Sequence, residues 1–241
     1  MLNTLLFLLV IFVSCILQGI TGFGFAVLAA PLGFLFFDQQ TIVVVLTIIS
    51  LVLNTFLLRK INAKVDKKFI YKLLVPGLIG VPLGVVALTA IDGNILKLVA
   101  GVIALVFVII LLFPRAKIKE NNYITAIIGG LTGFLQSSIG LSGPPIVLVL
   151  TGYCLEVKKM RKTLAIVFLF LSIISLPLFL YKNILTWDRF LLGALSIPLV
   201  IFGGNIGNKI SDKVPKNIFR ILTLLIVFAA SVQVIYSVLS K

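Results

Sequence analysis

The chain has 241 residues, 61% of them hydrophobic and only 12% charged, where a soluble domain carries about 25% charged residues, and its mean hydropathy is +1.25. Water is the wrong solvent for most of such a surface. The formal charge of +14 lies in short basic clusters between apolar runs, the pattern of membrane loops and not of a nucleic-acid interface, and the absence of histidine removes the commonest metal ligand and general base.

The first apolar segment, 3–37, would run about 52 Å as a straight helix, too long for one crossing of a hydrocarbon core about 30 Å thick. It carries a glycine-rich stretch at 19–24, followed by Pro31. This predicts a hairpin of two half-helices with the break near the middle and proline at the restart. No Lys or Arg precedes the run, so it lacks the charged start of a cleavable signal peptide and reads as mature protein. Ordinary spans follow at 39–58, 70–91 and 95–113. A second long segment, 123–155, breaks at 137–143 before Pro144-Pro145, and further spans follow at 163–181, 190–208 and 217–239.

The two halves match. QGITGFGF at 18–25 aligns with QSSIGLSG at 136–143, pairing Gln18 with Gln136 and Gly22 with Gly140 at an offset of 118. Asp38 pairs with Glu156 at the same offset, Pro76 with Pro198 at 122, and GVPLG at 80–84 with GGNIG at 203–207 at 123. The last two are small-xxx-small helix-packing motifs. The predicted fold is an all-α, polytopic membrane protein of two repeats, 1–115 and 116–241, each a broken-helix hairpin plus three transmembrane helices.

Loop charge sets the topology. With hairpins, 17 of the 21 basic residues fall on one side, leaving only Lys97, Lys182, Arg189 and Lys241 on the other. If each long segment crossed once, the split would be 12 to 9. Positive-inside bias favours hairpins, which places both termini outside the cytoplasm. An odd number of crossings per repeat inverts the second repeat relative to the first, the plan of many secondary transporters.

Non-helical backbone at membrane depth must line a cavity or be buried in protein, so the two breaks are expected to meet inside. Half-helix N-termini there offer free N–H groups to an anion. The candidate substrate-binding residues are Gln18, Gly19, Thr21, Gly22 and Gly24 in the first break, with Gln136, Ser137, Ser138, Gly140, Ser142 and Gly143 in the second. Cys15 and Asn205 are candidate cavity-lining residues. The amides and hydroxyls are expected to act as donors to the anion. All seven acidic residues fall at the ends of apolar runs, which leaves no intramembrane carboxylate for catalysis. The expectation is no enzyme, no metal and no cofactor.

The duplicated pattern, GITGFGF followed by AAP and then GFLQSSIGLSGPP, resembles the TauE/SafE sulfite exporter family over essentially the whole chain. The resemblance implies an inner-membrane, multi-pass carrier exporting sulfite, a sulfonate such as sulfoacetate, or a related organic anion. The alternatives are an anion channel and a carrier for a different small organic anion. The expected partners are the lipid bilayer and the anion, with a homo-oligomer left open and nucleic acid excluded.

Overall fold

A computed structural model describes the backbone of residues 2–21, 24–112, 118–153, 155–210 and 216–239, and the side chains of the same residues except 21, 111, 112, 216–224 and 226. Every regular element among them is α-helix: α1 (Leu2–Thr21), α2 (Phe25–Gly33), α3 (Gln39–Lys60), α4 (Lys67–Ala90), α5 (Gly93–Leu112), α6 (Asn122–Ile139), α7 (Gly143–Gly152), α8 (Val157–Tyr181), α9 (Trp187–Ile210) and α10 (Lys216–Leu239). Among the described residues, six helices are long and apolar enough to cross a membrane: α1, α3, α4, α5, α8 and α9. The fold is the all-α, multi-pass one that hydropathy predicts.

Polar residues between the apolar runs start the helices. Asp38 accepts the Thr41 N–H ahead of α3, Asp66 the Lys68 N–H ahead of α4, and Asn121 the N–H groups of Tyr123 and Ile124 ahead of α6, satisfying donors that a helix leaves free. Helix α8 begins at Val157, not at 163, because long basic side chains continue a helix beyond its apolar part and extend into the polar layer.

Both opening segments split in two within the expected stretches, into arms of unequal helical length. The arms hold 20 and 9 residues in α1 and α2, and 18 and 10 in α6 and α7. The long arms therefore measure about 30 and 27 Å. Gln18 to Thr21 and Gln136 to Ile139 remain helical. The left-handed backbone that turns the chain occurs at Gly24 (φ 101°) and Gly140 (φ 75°), where a side chain would be strained. Pro144 and Pro145 sit in the first turn of α7, where a missing N–H costs nothing. Pro31, expected at a helix restart, lies instead near the end of α2.

Helix α4 lies along α6, α1 along α9, and α5 along α10; α3 packs on α8 and α9, and α8 on α4. These pairings are reciprocal when α1–α5 are exchanged with α6–α10. The closest approaches repeat as well. A Cβ on Gly80 would strike the carbonyl oxygen of Gly130, and one on Gly84 that of Phe134. A Cβ on Gly203 would strike the carbonyl oxygen of Phe12, and one on Gly207 that of Ile16. Gly203 and Gly207 stand 123 residues after Gly80 and Gly84, while Phe12 and Ile16 stand 118 residues before Gly130 and Phe134. In lipid, where apolar burial drives little association, such backbone contact holds helices together.

Loop tethers define the two ends of the bundle. At one end Lys162 Nζ donates to the Ala63 carbonyl (2.8 Å). At the other, Arg189 pairs with Asp38 (3.3 Å) and donates to Gln40 and Thr41. Had each opening segment crossed once, the loops in each tethered pair would lie at opposite ends. The outer surface between the ends is apolar, with Leu5, Leu9, Ile79 and Leu83 exposed, and Tyr71, Tyr123, Tyr181 and Trp187 exposed near its margins, as interfacial anchors are.

Candidate functional site

The two breaks converge on one small cavity of about 20 Å³, little more than one water requires. Six of the candidate residues line it: Gln18, Gly24, Gln136, Gly140, Ser142 and Gly143. Sequence reasoning missed the rest of the wall, which is Phe25, Ala26 and Val27 of α2, Leu46, Thr47 and Ser50 of α3, and Phe168 of α8. Among the described residues none that lines it is charged.

The N-termini of α2 and α7 both open here, and neither carries a side-chain cap. They are chemically unequal. The first turn of α2 presents the N–H groups of Phe25, Ala26 and Val27, whereas Pro144 and Pro145 leave α7 only the Gly143 N–H in its first three positions. The Ser142 hydroxyl stands where those donors are missing. Together the turns offer backbone donors and a partial positive charge without a formal one.

The glutamines are buried at 4% and 3% exposure, and each is tied to the helix behind it. Gln18 Nε2 donates to Asn54 Oδ1 (3.3 Å) and Gln136 Nε2 to Ser172 Oγ (2.9 Å). Asn54 and Ser172 each lie 36 residues after their glutamine, so the supporting shell is duplicated with the site. A polar residue at a fixed interval after each glutamine was the signal available for finding this shell. One amide N–H of each glutamine is thus spent on its own support.

The other described candidates lie outside the cavity lining. Ser137 Oγ donates to the Val81 carbonyl across the α4–α6 contact (2.8 Å), and Ser138 Oγ to its own helix at Phe134 (2.7 Å). A Cβ on Gly19 would lie 2.8 Å from the Gly204 carbonyl oxygen. Cys15 is buried beside Gly203, and Asn205 is half-buried on α9 outside the lining. Gly22 and Cys154, and the side chain of Thr21, lie outside the described residues.

The C-terminal carbonyls of the long arms are capped from the other half of the chain. Arg161 Nη2, near the start of α8, donates to the Gly19 carbonyl (2.9 Å), and Gln39 Nε2, at the start of α3, to that of Ser138 (2.8 Å). Asp38 and Glu156, the carboxylates nearest the hairpin ends in sequence, stand away from the cavity as surface groups paired with Arg189 and Lys159. Partial burial pushes the Asp38 carboxyl up, but hydrogen bonds from the Thr41 hydroxyl and N–H, together with the Arg189 guanidinium, outweigh it and hold the group below the usual carboxylate value. Among the described residues no cluster of His, Cys, Asp and Glu suited to a metal occurs.

The profile of the family described as Sulfite exporter TauE/SafE matches residues 6–234, nearly the whole chain. No curated protein and no solved structure matches it significantly. The chain belongs to the sulfite exporter TauE/SafE family of membrane transporters.

Proposed function

We propose that the chain is a secondary carrier that exports a small sulfur-containing oxyanion, such as sulfite, sulfoacetate or a related organosulfonate, across the cytoplasmic membrane. Its two halves act as inverted repeats that expose one central site alternately to each side, with both termini outside the cytoplasm. The observation that carries this reading is the convergence of two uncapped half-helix N-termini, Gln18 and Gln136 on one cavity. The duplicated glycine contacts and the two loop tethers support the inverted arrangement.

A cavity of about 20 Å³ is closed around little more than a water, so cargo enters only when the helices part. The short arms α2 and α7, each joined through a left-handed glycine, are the elements free to swing. A small site with uncharged donors suits binding followed by release. In proteoliposomes, unlabelled sulfite inside should drive saturable uptake of labelled sulfite. Flux that never saturates and shows no such exchange would make the protein an anion channel, and flux confined to carboxylates would reassign the cargo.

A further inference from the structure

Gln136 Oε1 is buried and has no hydrogen-bond partner, although the side chain lines the cavity. Ser172 Oγ donates to the Phe168 carbonyl oxygen at 2.8 Å and accepts from Gln136 Nε2 at 2.9 Å. In this arrangement the amide nitrogen is turned to Ser172 and Oε1 is the atom left without a partner. Gln18 is turned in the same sense. Asn54 Nδ2 donates to the Ser50 carbonyl (2.7 Å) and to Ser50 Oγ (3.0 Å), so Asn54 turns its oxygen to the Gln18 amide nitrogen. The cavity wall thus combines backbone donors with an unpaired buried acceptor, and a buried acceptor left unpaired is costly.

We propose, on the basis of the carrier reading above, that among those cargoes the site selects sulfite, recognised as a protonated monoanion: an oxyanion whose oxygens take the N–H groups of α2 and α7 and whose remaining O–H donates to Gln136 Oε1. For sulfite this is the bisulfite form bearing an O–H, and the proton stays on the cargo throughout. A fully deprotonated dianion brings only acceptors and sets one of them against the Gln136 oxygen.

The pH dependence belongs to the cargo, because no titratable group of the described protein faces this oxygen. On the surrounding helices, Cys15 of α1 packs on Gly203, Arg161 of α8 is bound at Gly19, and Lys162 at Ala63. Asp38 and Arg189 pair with each other, as do Glu156 and Lys159. Lys72 of α4 is held by Asn122, and Arg59 and Lys60 of α3 are exposed.

The test is sulfite efflux from proteoliposomes at fixed voltage and equal pH on both sides, measured across the range where bisulfite gives way to the dianion. The wild-type rate should follow the bisulfite fraction, falling about tenfold per pH unit once the dianion dominates, and sulfate, a dianion throughout, should not be carried. Ser172→Ala removes the group that holds the amide, so Gln136 can offer either edge, and the dependence on pH should flatten. A wild-type rate that is flat or rises with the dianion overturns the proposal, as does a profile that Ser172→Ala leaves unchanged. Failure to carry any sulfur oxyanion at any pH instead sinks the carrier reading, and this inference with it.

Discussion

Arg161 donates to the backbone carbonyl of Gly19, 142 positions earlier in the chain, at 2.9 Å. The bond places a cation at the C-terminal end of α1, where the helix dipole and unsatisfied carbonyls favour one. It also ties the long arm of one half to the start of α8 in the other. Arg161→Met should lower stability by about 1.5–3 kcal/mol, the range for a hydrogen bond to a charged group. Thermal unfolding in detergent checks this, and a Tm equal to wild type would show that the tether carries no load.

The duplicated glycine contacts predict a sharp contrast between neighbouring positions. Gly84→Ala and Gly207→Ala drive a Cβ into the carbonyls of Phe134 and Ile16, whereas the nearest atom to a Cβ on Gly130 is the Pro76 carbonyl oxygen at an ordinary 3.6 Å. The first two should each cost about 1–3 kcal/mol through overpacking, and Gly130→Ala should be close to neutral. Yield and Tm of the three variants decide it. Equal tolerance at all three would mean that α4–α6 and α1–α9 are not held at backbone distance.

Topology is open to direct labelling. The Lys162 bond to Ala63 puts the loop before α4 and the start of α8 at one end of the bundle. Single cysteines at Lys64 and Lys159, in a background lacking Cys15 and Cys154, should react with an impermeant thiol reagent from the same side, and positive-inside bias makes that side the cytoplasm. Reaction from opposite sides would contradict the two-hairpin arrangement.

Asp38 offers a pH-dependent test at the other end. Its folded-state acidity is enhanced, so its contribution to stability is present above the unfolded carboxylate value of about 3.9 and is lost as pH falls through the lower folded value. Asp38→Ala, which removes the α3 cap as well, should cost about 1 kcal/mol at neutral pH. Asp38→Asn keeps a good cap and should cost less, since the exposed pair with Arg189 is worth only about 0–1 kcal/mol. Wild type and Asp38→Asn should converge in Tm as pH drops below the carboxylate range, and a constant difference would place the effect elsewhere.

The helices were legible in the sequence because hydropathy and length act locally: 70–91 and 190–208 differ from α4 and α9 by three residues at most at either end. The breaks were located but drawn too wide. Glutamine and serine hold helical backbone well enough that, among the described residues of these stretches, only Gly24 and 140–142 depart from it. What sequence did not reveal is which face each candidate turns to the cavity. Ser137 and Gly19 sit one residue after Gln136 and Gln18, and about 100° of helical rotation aims them at α4 and α9. Nor was the orientation of the glutamine amides legible, since it is decided by Asn54 and Ser172, which are remote in sequence and adjacent only in the fold.

The measurement closest to the central claim is voltage-driven efflux of sulfite from proteoliposomes, wild type beside Gln18→Leu and Gln136→Leu. With no acid or base among the described residues that line the cavity, a carried monoanion moves one net charge, and 100 mV supplies about 2.3 kcal/mol to it. A potassium and valinomycin potential, negative on the cargo side, should accelerate wild-type efflux, and collapsing it should slow efflux at an unchanged chemical gradient. Both variants should fold yet transport more slowly. Sulfite efflux that ignores voltage, or that proceeds at wild-type rates through both variants, would contradict the account.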